Sequence, residues 1–237
     1  MAAQNLAVID ARGGRPSGLV ASVVAPRDMD AEVFLDVVRG LGERAREVGA
    51  GVVGGDLSAG EKLVISITAF GYCPGPIVRR DGAQPGDVIA VSGTLGFSYA
   101  GLDLLEGGYV DPSARGSEEL GDLAPFIDTY RAPHPPLGSG VAAAAAGATA
   151  MMDLSDGPAA DARRMAQASG LVIEFDRPAL EAEARLLQAP AQVCQADPVW
   201  WVLQGGEEHG MLAAFPPNAV LHEGFRVVGR PRACRDG

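Results

Sequence analysis

Three short stretches join carboxylates to glycine in a way suited to phosphate chemistry: Gly54-Gly55-Asp56, Asp153-Leu154-Ser155-Asp156-Gly157 and Gly205-Gly206-Glu207-Glu208. Each is read as closing a run of β-forming residues. Glycine lets backbone come close to a phosphate and leaves amide N–H groups free to bind it. A neighbouring carboxylate can hold Mg²⁺, which prefers oxygen ligands and bridges to phosphate oxygens. Phosphoryl transfer asks for little else: positioned phosphates, neutralised charge and an in-line acceptor.

Each stretch also has a plain structural use. Gly54-Gly55-Asp56 suits a turn between strands. Ser155 or Asp156 suits the N-cap of a helix opened by Pro158. Gly205-Gly206 followed by acids suits a hairpin turn. Asp153 has no such duty, and its place after Met151-Met152 at the exit of an apolar run singles it out. Spacing alone does not bring the three stretches together. The chain has no P-loop, and Gly49–Gly54, although spaced Gly-x-Gly-x-x-Gly, leads from a predicted helix into a predicted strand, the reverse of a dinucleotide fingerprint. Arg79-Arg80 puts two cations in a turn, where they suit either a phosphate or a solvated surface pair. Trp200-Trp201, placed on a strand, would face opposite ways, so at most one lines a site, and core packing is the simpler use. Ser155 has no histidine nearby in sequence, which argues against a serine hydrolase.

The elements expected to position these residues alternate in type. Helices are predicted over Gln4–Arg12, Asp30–Val48 with Asp30 as N-cap, Leu95–Leu105, Gly140–Ala148 and Pro158–Ala168. Strands are predicted over Leu19–Ala25, Gly51–Gly55, Leu63–Phe70, Asp87–Ser92, Gly170–Phe175, Trp200–Leu203, Met211–Phe215 and Phe225–Val228. The stiff Cys73-Pro74-Gly75-Pro76 segment marks a domain boundary, giving residues 1–74 and 75–237. The class is α+β or α/β, in two parts.

At 237 residues, 47% hydrophobic and 21% charged, the chain has the composition of a globular protein with ample core. A formal charge of −11 argues against nucleic-acid binding, which needs clustered cations, but suits an enzyme that meets phosphate through metal ions. Cys73, Cys194 and Cys234 are scattered, fitting a reducing compartment rather than a disulfide framework. The opening residues do not read as a signal peptide, and the longest apolar stretch, Val141–Met152, is too short to span a bilayer. A cytoplasmic location without membrane partners is expected.

The ordered motifs resemble those of the thiamine-monophosphate kinase family, in its actinobacterial form. Val52-Val53-Gly54-Gly55-Asp56 with Leu63–Thr68 resembles its Gly-Gly-Asp segment. Arg80-Asp81-Gly82-Ala83-Gln84-Pro85-Gly86-Asp87 and Ser92-Gly93-Thr94-Leu95-Gly96 are similar to two further family turns. Met152–Gly157 resembles Asp-Ile/Val-Ser-Asp-Gly, and Gly205–His209 resembles Gly-Gly-Glu-Asp-Tyr/His. The resemblance implies an aminoimidazole-ribonucleotide-synthetase-like pair of α+β domains, the first serving as a dimerisation and nucleotide-binding unit in a homodimer. It implies transfer of the ATP γ-phosphate to thiamine monophosphate in a cleft between the domains. Asp56, Asp153 and Asp156 would hold Mg²⁺, with Asp156 also catalytic. Gly55, Asp56, Arg80 and Ser155 would bind ATP, and Glu207 would lie near the thiamine substrate.

The chain departs from the family pattern in four places. The family's opening Gly-Asp-Asp-Ala-Ala strand and Ser/Thr-Asp ligands have no counterpart before Ala2, so an N-terminally shortened member or a fragment is expected, with an exposed sheet edge. Val8 stands where the family carries a metal-binding aspartate, and Asp10 lies roughly 200° around the helix from it. Glu208 replaces an aspartate, with Gly210 replacing a larger residue. The tail after Arg230 lacks the family's aromatic ending. Impaired kinase activity is therefore expected. The alternatives are a non-catalytic nucleotide-binding or regulatory homologue, or a related enzyme such as a hydrogenase-maturation dehydratase, to which the Pro231–Cys234 tail is similar.

Overall fold

The computed structural model describes residues 1–234. In chain order the elements are α1 (Ala2–Asp10), β1 (Arg15–Ala25), α2 (Ala31–Arg46), β2 (Gly51–Ala59), β3 (Val64–Tyr72), β4 (Val88–Ser92) and α3 (Phe97–Glu106). Then come α4 (Gly116–Leu120), α5 (Ala124–Arg131), α6 (Ser139–Ala145), β5 (Ala150–Asp153), α7 (Pro158–Ser169), β6 (Leu171–Phe175) and α8 (Arg177–Ala184). The last are α9 (Gln188–Cys194), α10 (Pro198–Gln204), β7 (Met211–Phe215) and β8 (Arg226–Ala233).

The strands form two separate sheets. The first has the order β2-β1-β3, with β1 parallel to β2 and antiparallel to β3. The second has the order β5-β7-β4-β8-β6 and is antiparallel at every pairing. The class is α+β, one of the two that the mixed pattern allowed and the one that the family resemblance implied.

The second sheet is covered on both faces, so its central strands need apolar residues at every position. Met211–Phe215 is buried throughout. Ile89, Val91, Met152, Leu212 and Ala214 point to one core, packed with Leu104, Ile127, Met165 and Trp201. Ala90, Met151, Met211, Ala213 and Phe215 point to the other, against Ala11 and Ala143. The first sheet carries α1 and α2 on one face, where Leu6, Leu41 and Ala45 meet Leu19 and Ala50. Asp30 caps α2 by accepting from the Glu32 amide at 2.8 Å, an arrangement worth about 1 kcal/mol.

Several strand predictions change: β1 opens earlier, at Arg15, and β8 runs on to Ala233. Trp200–Leu203 is helical, not a strand, because Asp197 caps α10 through the Val199 amide at 2.9 Å and Pro198 opens its first turn. That Asp-Pro start outweighs the β-preference of Trp-Trp-Val. β2 does not close at the double glycine but continues to Ala59. Gly55 lies opposite Ala21 in β1, and a Cβ there would stand 2.0 Å from the Ala21 carbonyl oxygen. Close strand pairing thus gives Gly55 a structural reason of its own.

Helix α1 touches both halves of the molecule. Val8 is exposed, whereas Asp10 is only 2% exposed. The Asp10 carboxylate accepts from the amides of Gly140 and Val141, at 3.0 and 3.4 Å, where α6 begins. Burial pushes this carboxyl up from its ordinary value near 3.8, opposed by those amides and that of Gly138. A raised native pKa means the folded chain holds the proton more tightly than the unfolded chain. The contribution to stability is therefore full below the unfolded value and is lost as pH rises through the folded one. Asp10→Asn should remove that dependence. Its melting temperature relative to the parent chain should rise as pH climbs above about 4 and level off once the folded carboxyl is ionised, and melting curves that stay parallel would show the coupling absent.

Candidate functional site

Antiparallel pairing places the exit of β5 beside the entry of β7, with Asp153 opposite Met211. The loop leaving β5 and the loop entering β7 therefore share one end of the second sheet. β4 also ends there, since Ser92 lies opposite Met211. Backbone hydrogen bonds join the first two loops: Leu154 N–H to Gly210 O at 2.7 Å, Glu207 N–H to Ser155 O at 2.9 Å and His209 N–H to Leu154 O at 3.1 Å. Their approach leaves no room for side chains at the glycines. A Cβ on Gly206 would lie 2.3 Å from the Ser155 carbonyl oxygen, and one on Gly157 would lie 2.7 Å from that of Gly205. The third glycine-acid stretch is thus a helix-to-strand loop following α10, rather than a hairpin turn at the end of a strand.

The joined loops gather Asp153, Ser155, Asp156 and Glu207. Asp153 is half-buried, Ser155 partly exposed, and Asp156 and Glu207 open to solvent. His209 sits behind them, its ring almost wholly buried. Its Nδ1 lies 3.4 Å from Asp153 Oδ2 and its Nε2 lies 3.7 Å from Glu207 Oε2. Glu207 and His209 both adopt left-handed backbone, with φ of 67° and 53°. Such strain in residues with side chains costs free energy and clusters at functional sites.

Asp156 pairs with Arg164 of α7, and that guanidinium holds its carboxyl below the usual carboxylate range. The Ser155 hydroxyl adds a hydrogen bond in the same direction. Arg164 also binds the buried Asp161, which accepts from the Asp156 amide at 2.9 Å. The N-cap position of α7 is Gly157, with φ of 94° and no side-chain cap, so neither Ser155 nor Asp156 has that duty.

Asp56 and Gly55 lie elsewhere, on the first sheet. Asp56 is in register with Ser22, and Ser22 with Ser66, so the three share the sheet face opposite the helices. The Asp56 carboxylate accepts from the Ser58 hydroxyl at 2.8 Å. Arg80 is exposed, and its carbonyl accepts from the Ser169 hydroxyl at 3.3 Å, while Arg79 pairs with Asp81. Among the described residues no three His, Cys, Asp or Glu side chains stand together in a metal-holding group. Asp153 and Asp156 nevertheless fit Mg²⁺ chemically, because this ion is commonly held by one or two carboxylates together with phosphate oxygens and water.

Residues 1–73 match the family "AIR synthase related protein, N-terminal domain". The thiamine-monophosphate kinase of Mycobacterium tuberculosis is 41% identical over 229 residues, covering 96% of this chain and 65% of that protein. That of Corynebacterium glutamicum is 36% identical over 235 residues, covering 98% of this chain and 68% of that one. The chain belongs to the thiamine-monophosphate kinase family. It spans just under two thirds of the length of the mycobacterial relative. The crystal structure of thiamine monophosphate kinase from Aquifex aeolicus superposes with a TM-score of 0.85 at 30% identity, covering 97% of this chain and 76% of that one. The structure of AaThiL complexed with AMPPCP and TMP gives 0.78 at 27% identity, covering 98% and 72%.

Val8, which the resemblance placed at the family's aspartate position, is exposed, and the buried Asp10 is committed to the amides at the start of α6. Two neighbours of the site were not singled out in the sequence. His209 closed the Gly205–His209 stretch without an assigned role, and only the loop geometry sets it between two carboxylates. Arg164 had a usable signal: it lies three residues after Asp161 on a helix, on the face that looks back to Asp156.

Proposed function

We propose that the chain handles Mg-ATP and thiamine monophosphate as a thiamine-monophosphate kinase does, moving the γ-phosphate of ATP to thiamine monophosphate to give thiamine diphosphate. The observation that carries this reading is the joining of the Asp153–Gly157 and Gly205–Gly210 loops by backbone bonds, which sets two carboxylates suited to Mg²⁺ beside Glu207. Mg²⁺, when bound, would supply charge neutralisation at the phosphates. In this reading Asp153 and Asp156 hold the metal, and Asp156, kept ionised by Arg164, is the catalytic carboxylate. Ser155 and Arg80 meet ATP phosphate oxygens, and Glu207 orients the thiamine substrate. Asp56 and Gly55 serve the nucleotide from the open face of the first sheet.

Residues 1–74 form a dimerisation and nucleotide-binding unit in this reading, and residues 75–237 the unit with the joined loops. A homodimer through the first sheet is supported by the exposed apolar side chains Val53, Leu57, Val64, Phe70 and Tyr72. A cytoplasmic location accords with the chemistry, and no helix among the described residues is long and apolar enough to cross a membrane.

A second reading, nucleotide binding without turnover, follows from the resemblance, which places Val8 where the family carries a metal ligand; it is supported by α1 having Asp10 as its one carboxylate, buried and bonded to the α6 amides. Calorimetry with a non-hydrolysable ATP analogue, with and without Mg²⁺, combined with an assay for thiamine diphosphate, tests both. Mg²⁺-dependent binding with slow product formation supports the kinase reading; binding with no product supports the second. A chain that binds neither nucleotide nor thiamine monophosphate would overturn both.

A further inference from the structure

Glu208 differs from its neighbours in the acidic loop by turning inward. It is 6% exposed, whereas the adjacent Glu207 points to solvent. Its Oε1 accepts from the Ser98 amide at 3.1 Å, in the first turn of α3. The Thr94 hydroxyl and the amides of Phe97 and Gly96 surround the same carboxyl. Helix α3 has glycine at its N-cap and no cap from its own side chains, so Glu208 supplies from another loop the acceptor that its free amides require. Its second oxygen, Oε2, is buried and finds no hydrogen-bond partner among the described residues.

The neighbouring backbone shows why that anchoring matters. Residues 207 and 209, on either side of Glu208, hold left-handed conformations that need support from their surroundings. The Glu207 and His209 amides bond to the Ser155 and Leu154 carbonyls, fixing one side of the segment. The Glu208 carboxyl fixes the other side, on the α3 N-terminus. With both sides held, Glu207 is presented outward with His209 behind it.

We infer that Glu208 is a positioning residue: by capping α3 across the loop boundary it holds Glu207 in the orientation that receives the thiamine-bearing substrate. The substrate part of this inference rests on the proposed function; the anchoring part does not. A consequence is that the α3 N-terminus, preceded by the glycine-rich Ser92–Gly96 turn, is filled by protein and does not take a phosphate of the nucleotide.

Hydrogen exchange and ligand binding on the whole chain separate these parts. Glu208→Ala should speed exchange of amides in residues 205–210 and 96–99 by about tenfold or more, with the amides of Asp10–Gly14 unchanged. Glu208→Gln, which keeps the accepting oxygen, should restore most of the protection. In binding assays Glu208→Ala should weaken thiamine monophosphate by about tenfold or more and leave Mg²⁺–nucleotide-analogue affinity within about twofold. Unchanged exchange in residues 205–210 would overturn the anchoring, whatever the ligand assays show. Faster exchange with equal losses for both ligands, tracking a global fall in stability, would overturn the positioning role. If the parent chain binds no thiamine monophosphate, the proposed function fails while the exchange data still decide the anchoring.

Discussion

Asparagine in place of Asp153 is expected to weaken Mg²⁺-dependent binding of a non-hydrolysable ATP analogue by about 10- to 100-fold. Asp153 is the carboxylate with no competing structural duty, unlike Asp156, whose charge is already shared with Arg164. It stands at the last position of β5, half-buried, with His209 fixed behind it at 3.4 Å. Replacing it removes an anionic ligand while keeping the shape and an oxygen for the imidazole. Binding measured without Mg²⁺ should barely change, and the melting temperature should fall by no more than about 2 °C. Asp156→Asn should have the smaller effect on metal affinity, because it also frees Arg164 to face the phosphates. Calorimetry over a Mg²⁺ titration measures both; equal Mg²⁺ dependence in Asp153→Asn and the parent chain would remove Asp153 from the metal site.

The largest stability loss is expected at Trp201. Its side chain is 1% exposed in the main core, and its indole N–H donates to Asp103 Oδ2 at 2.7 Å. The Trp201 backbone also packs against the Gly96 and Gly205 turns, which leave no room for a Cβ. Trp201→Ala should cost about 3–5 kcal/mol from lost burial and the cavity left behind, with a further loss from the unpaired Asp103 carboxylate. In a chain of this size that lowers the melting temperature by roughly 10 °C or more. Trp200, 57% exposed on the same helix, is the control: its alanine variant should stay within about 0.5 kcal/mol. Thermal and urea unfolding of the two variants measure the contrast, and equal effects would contradict the assigned packing.

Trp200-Trp201 also illustrates how far local sequence reaches. Core packing holds for Trp201 but not for Trp200, and the strand alternation from which their opposite facing was read does not hold, since the element is a helix. Asp197-Pro198 carried a helix-start signal that the aromatic run obscured. Helices α4, α5, α8 and α9 were not anticipated, since they are short and depend on packing for their stability: α5 and α9 against α3, α8 against α10 and β8, and α4 against α5.

The glycine-acid stretches, read from sequence as one design, separate in the fold. Their residue types and order sufficed to place the chain in its family and to single out Asp153, because a carboxylate with no capping or turn duty is unusual at the end of an apolar run. That helices and strands are mixed was equally legible, since hydrophobic period reports each directly. Which stretches meet was not legible. That depends on register between strands far apart in sequence, and only the β5–β7 pairing brings Asp153 to Glu207 while Asp56 stays on the first sheet. The inward turn of Glu208 and the setting of His209 between two carboxylates likewise follow from left-handed backbone held by tertiary contacts, which no local propensity encodes.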